Sequence, residues 1–104
     1  MNHRHYHPLE LLEECLHHSG DKEEADFVSR LKGRDLDRQA AGLTILENRL
    51  PPGDAWRSVL LAKAAITNRT PDAHEKLFWL RLEMAGFPRH IVEEMTDHPP
   101  SGEV

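Results

Sequence analysis

Apolar residues recur along this chain at three- and four-residue intervals. Leu9, Leu12 and Leu16 form one such set, Leu36, Ala40, Leu43 and Leu50 another, and Ala73, Leu77, Leu80 and Met84 a third. That spacing marks one buried face of a helix, and no stretch alternates apolar and polar for long enough to make a strand. Punctuation divides the pattern into six helices. Pro8 suits a first turn and Gly20 a stop, which predicts a helix over 8–19. Asp21 followed by Glu24 resembles a capping box and Gly33 is the next stop, giving a helix over about 22–32. Asp35 can cap a third helix, which the "PPG" after Leu50 ends. Asp54 reads as the cap of a fourth, running to Thr67 or Asn68. Thr70 and Pro71 make an N-cap and a first-turn proline for a fifth over 71–85, stopped by Gly86. Pro88 opens a short sixth, to about Thr96.

The connections are short, and short links between helices imply antiparallel neighbours. The expected fold is therefore all-α: a compact bundle of about six helices arranged as three successive antiparallel helical hairpins. A flexible histidine-rich arm (1–7) and a flexible tail (98–104) would flank a single helical domain over 8–97. The segment "DAWRSVLLAKAAITN" is apolar on almost every side, which predicts that the fourth helix is central. Two charges fall on apolar arcs, Glu47 in the third helix and Lys63 in the fourth. Both are expected to snorkel to water. Counted from the "PPG" corner, Arg57 stands nearer the level of Glu47 than Lys63 does, so Arg57 is the expected partner. Gly42, in mid-helix, either permits a close crossing or only weakens the helix.

Composition sharpens this picture. With 104 residues the chain is one domain by length, and with aromatics at 6% its core must rest on leucine and alanine. A single cysteine rules out an internal disulfide. No apolar run is long enough for a membrane helix, and the polar start is unlike a signal peptide, so a cytoplasmic protein is expected. The net charge is −5. The three bases of 53–69, Arg57, Lys63 and Arg69, fall about 120° apart on a helix and make no stripe, so nucleic acid is not the expected partner.

Candidate chemistry is sparse. His3, His5, His7, Cys15 and His18 are the metal-ligating candidates, since Cys15 and His18 can share a helix face and the arm can fold back. Against this, Cys15 shares the apolar arc of Leu9, Leu12 and Leu16, where a thiol behaves as a small hydrophobe. A His-x-His-x-His arm also picks up Ni²⁺ or Zn²⁺ adventitiously. No nucleophile elbow, phosphate-cradling loop or His-Glu-x-x-His motif is present, so neither catalysis nor a cofactor is expected. Residues 71–97 have the layout of a helix-turn-helix. Its second helix carries Arg89 and His90 but then Glu93, Glu94 and Asp97, which phosphates would repel.

The residue most out of place is Trp79. It projects among Asp72, Glu75, Lys76 and Glu83, opposite the arc of Ala73, Leu77, Leu80 and Met84. With Phe78 and Leu82 beside it, and Glu75 and Glu83 as a charged rim, it is the expected anchor for a protein partner or a second copy of the chain. The function expected is that of a small non-enzymatic accessory, adaptor or regulatory protein. A helix-turn-helix regulator using 71–97 and a metal-binding protein using the N-terminal histidines are the alternatives.

Overall fold

The computed structural model describes residues 6–68 and 72–87. These residues form five α-helices and no strand: α1 (Pro8–His18), α2 (Lys22–Leu31), α3 (Leu36–Arg49), α4 (Asp54–Ile66) and α5 (Ala73–Met84). The expected sixth helix over 88–96 lies outside the described residues, as do the Thr70–Pro71 cap and the tail.

The helix ends show which punctuation works. At the end of α1, Gly20 adopts φ 84°, where a side chain would clash. The turn lets Asp21 N–H reach Leu16 O at 2.9 Å and Gly20 N–H reach His17 O at 3.1 Å, closing two carbonyls that the helix leaves open. Gly86 ends α5 in the same way, with Phe87 N–H on Leu82 O. Asp35 caps α3 as expected, accepting from Arg38 N–H at 2.8 Å. Two expected caps are not made. The Asp21 carboxylate accepts from the Ser19 hydroxyl at 2.6 Å and makes no cap bond to α2. Asp54 is the first residue of α4 rather than its cap; Gly53 holds that place, its carbonyl accepting from Arg57 N–H. The capping box instead forms at α1. Leu9 N–H donates to His7 Nδ1 at 3.0 Å and His7 N–H to Glu10 Oε1 at 3.2 Å.

The core joins all five helices. Leu9, Leu11, Leu12, Cys15 and Leu16 of α1 are fully buried, because α1 packs against α2, α4 and α5. Helix α5 packs on α1 and α4 and buries Ala73, Leu77, Phe78, Leu80, Arg81 and Leu82. Helix α4 also touches three neighbours, α1, α3 and α5, but only Ser58, Val59 and Ala62 are buried in it. The expectation that α4 is the centre is thus corrected: α1 shares that role and is the more deeply covered. The apolar sides of α4 at Trp56, Leu60 and Leu61 stay half-exposed. Helix α2 meets α3 across Gly42, where an added Cβ would stand 2.7 Å from Leu31 Cδ1. Gly42 therefore serves a close approach. Gln39, buried on the same side, donates from Nε2 to Leu31 O at 3.3 Å and Arg34 O at 3.0 Å. It adds a second donor to Leu31 O, which also accepts from Arg34 N–H, and closes Arg34 O in the link between α2 and α3.

Glu47 pairs with Lys63, Oε1 to Nζ at 3.5 Å, whereas Arg57 pairs with Asp54 at 3.9 Å. The expected Arg57 partner is wrong for a geometric reason. Helical side chains lean toward the N-terminus of their own helix. The chain reverses at Pro51–Gly53, so Glu47 leans away from the corner while Lys63 leans toward it. At 1.5 Å of rise per residue their Cα levels differ by about 9 Å, and two leaning side chains span that.

Candidate functional site

The Trp79 region was the expected site, and the structure divides its residues. Trp79 is half-buried, packed against the core, with its ring edge-on to Phe78 at 5.0 Å between centroids. Phe78 is fully buried and Leu82 is 8% exposed. The expectation that these two stand beside Trp79 on a contact face is therefore corrected: they support it from within. The reason is that α5 has two covering neighbours, α1 and α4, so Phe78 and Leu82 are buried as well as Ala73, Leu77 and Leu80. The polar side retains Glu75 and Lys76, exposed, and Glu83, half-exposed. Lys76 is held by Asp72 at 3.2 Å. Glu75 and Glu83 have no ion-pair partner among the described residues, so the rim of Trp79 is acidic. The Trp79 Nε1 is buried without a hydrogen-bond partner among the described residues.

Beside this face lies a cluster that the sequence reading missed. Arg81 stands in the seam between α5 and α1, its side chain 11% exposed. Its guanidinium lies 4.7 Å from the Phe78 ring centroid and 5.2 Å from that of Tyr6. Its Nη1 donates to Glu14 Oε1 at 3.2 Å. Its Nε is buried with no partner among the described residues. The seam explains how a cation is tolerated here. Two ring faces and one carboxylate replace part of its hydration, and each ring is worth about 0.5–1 kcal/mol or more as the site dries. A signal for Arg81 was present in the sequence. About the α5 axis it falls between Leu77 and Phe78, roughly 40° from one and 60° from the other, and so inside the combined apolar arc.

Tyr6 completes the cluster. Its ring lies 5.7 Å from Phe78, and its carbonyl accepts from His74 Nε2 at 2.7 Å. That bond requires His74 to carry its proton on Nε2. Tyr6 and His7 are thus seated on the bundle, where the sequence reading placed them in a free arm. No periodicity could show this, because Tyr6 meets α5 some seventy residues later.

Among the described residues the metal candidates do not converge. Among the described residues no three side chains of the His, Cys, Asp and Glu types are grouped so that they could hold an ion. Cys15 faces the interior beside Ser58 of α4, His18 is exposed at the end of α1, and His7 uses Nδ1 as a helix cap. His3 and His5 lie outside the described residues. Burial, first, and the Glu14 carboxylate, second, push the Cys15 thiol up to about 12, so it stays protonated and unreactive at neutral pH.

Among the described residues, two clefts lie open on the surface. One, of about 220 Å³, is lined by His7, Glu10, Lys32, Gly33 and Gln39. The other, of about 250 Å³, is lined by Glu23, Asp26, Phe27, Arg30 and Arg49. Both mix charges of opposite sign and hold no constellation of nucleophile, base and orienting group. Large apolar side chains exposed elsewhere are Leu36, Ile45 and Phe87. Leu36 and Ile45 are nine positions apart, about half a turn around α3, and so make no common patch. Comparison with known protein families, curated proteins and solved structures gives no match to this chain.

Proposed function

We propose that this chain is a small non-enzymatic protein that acts in the cytoplasm through protein–protein contact, as an accessory, adaptor or regulatory subunit. The observation that carries the reading is Trp79, a half-exposed indole on the polar side of α5, backed by buried Phe78 and rimmed by Glu75 and Glu83. A tryptophan with a rigid apolar backing loses little freedom when a partner covers it, which is what makes such residues interface anchors. An acidic rim favours a basic partner surface and repels other acidic ones. A second copy of the chain is the other partner this reading admits. The finer architecture belongs to the same proposal: a sixth helix over 88–96 would close the third of three helical hairpins.

Replacing Trp79 by Ala tests the function. The isolated chain should lose about 1–2 kcal/mol of stability, since the ring is only half-buried. Self-association in sedimentation, or capture of a basic protein at low salt, should weaken by at least about thirtyfold, the scale of an interface hot spot. Unchanged self-association together with unchanged capture would remove the reading.

A further inference from the structure

We propose that the row Glu75, Trp79 and Glu83 on α5 takes an extended basic segment of a partner protein. Two of its cationic side chains would meet the carboxylates, and the stem of a third would lie along the indole between them. The inference rests on the reading of Trp79 as an anchor and names the chemistry of the partner.

The three side chains recur every four residues, so they stand in one line along α5. At 1.5 Å of rise per residue, successive members are about 6 Å apart. Glu75 is exposed and Glu83 half-exposed, and neither is in an ion pair among the described residues. The one cation on this side of α5, Lys76, is engaged by Asp72 at 3.2 Å. The charges of Glu75 and Glu83 are therefore left uncompensated on either side of Trp79. The Trp79 Nε1 is buried, so the part of the indole that solvent reaches is carbon. Carbon between two carboxylates suits a side chain with an apolar stem and a cationic head, which is the make-up of arginine and lysine.

The width of the face selects an extended segment. Only about 100° of α5 is open, from Glu75 round to Lys76, and Trp79 is the one large apolar side chain in that sector. A partner helix needs an apolar stripe to pack on, which the sector lacks. An extended segment needs a single row. Its alternate residues stand about 6.6 Å apart on one side, within about 1 Å of the spacing along α5. Bases at every second position thus match Glu75, Trp79 and Glu83 in order. The same charges disfavour other occupants. Phosphates of nucleic acid and anionic lipid are repelled, and a symmetric second copy would set this acidic row against itself.

A ¹⁵N–¹H titration of the full chain at low salt tests the proposal. The probe is the peptide GRSRSRG, in which arginines alternate. It should shift the amides of 75–83 and the Trp79 indole N–H to saturation. It should bind at least about threefold more tightly than GSRRRSG, which has the same composition in a different spacing. Glu75→Gln combined with Glu83→Gln should weaken binding about tenfold, the product of two solvent-screened ion pairs. Glu23→Gln combined with Glu24→Gln removes as much charge from α2, which does not contact α5, and should weaken it less than about twofold. Equal weakening by the two pairs would show attraction to net charge alone and overturn the proposal, as would an absence of shifts at 75–83. Equal affinity for the two peptides would overturn the extended row. If these peptides do nothing while Trp79→Ala still weakens self-association or capture, the anchor reading stands and this one falls, so the two fail separately.

Discussion

Cys15 shows how one residue's surroundings decide its chemistry. Its thiol is buried beside Ser58 and raised from 9.0 to about 12. Because the folded value is raised, the related stability is fully present below about pH 9 and is lost as pH rises toward 12. The unfolded thiol ionises through that window while the folded one does not. Stability should therefore fall above pH 9 by up to about 1.4 kcal/mol per pH unit from this group. Urea titrations of the parent and of Cys15→Ala, compared between pH 8 and 10.5, should differ in slope by that amount. Equal slopes would show that the thiol is hydrated. Glu47 is the contrasting residue. Its side chain and that of Lys63 are 29% and 35% exposed, so water screens their 3.5 Å pair. Glu47→Gln should cost no more than about 1 kcal/mol in chemical denaturation, and a cost of several would mean the pair is effectively dry.

Pairs of helices are held by contacts that single helices do not disclose. Where α2 approaches α3, a Cβ on Gly42 would meet the Leu31 methyl groups at 2.7 and 2.8 Å, so the Leu31 side chain would have to shift. Gly42→Ala should gain about 1 kcal/mol in helix propensity and lose about 1–3 kcal/mol by overpacking, for a net loss near 1 kcal/mol. In a Leu31→Ala background the same change should stabilise the fold. A double-mutant cycle measured by equilibrium unfolding checks this, and additive effects would show that the two residues do not press on each other. Gln39 works at the same joint, where one amide donates to Leu31 O at the end of α2 and to Arg34 O in the link that follows. A glutamine in the first turn of a helix carries no such message in sequence, since its acceptors belong to the preceding helix and loop.

Across the whole molecule, stability should follow burial rather than the apolar content of each segment. Helix α4 reads as the most uniformly apolar stretch, yet α1 and α5 bury more of their side chains. The amides of 12–16 and 77–82 should accordingly be the slowest to exchange. Those of α2, which among the described helices packs on α1 and α3 alone, should open earlier. Peptide-resolved exchange followed by mass spectrometry checks the order, and faster exchange in α1 than in α2 would contradict it. No helix among the described residues is long and apolar enough to cross a membrane.

The five helices of the described residues were legible in the sequence to within one or two residues at each end, because helix starts and stops are local events. Gly20 and Gly86 stop helices through their own φ angles, and Asp35 caps one through a neighbour three residues away. The burial of Cys15 was legible too, since the period of Leu9, Leu12 and Leu16 puts it on the same arc. Tertiary structure alone decided what lay between helices. The seat of Tyr6 on Phe78, Arg81 and His74 joins residues some seventy positions apart. The Glu47–Lys63 pair depends on which way two helices lean at a corner. The burial of Phe78 and Leu82, and so the narrowing of the exposed face to Trp79 and its acids, depends on α1 and α4 together covering α5, which its apolar positions alone do not disclose. A period along one chain records which side chains share a face; only the packed molecule shows how many faces are covered.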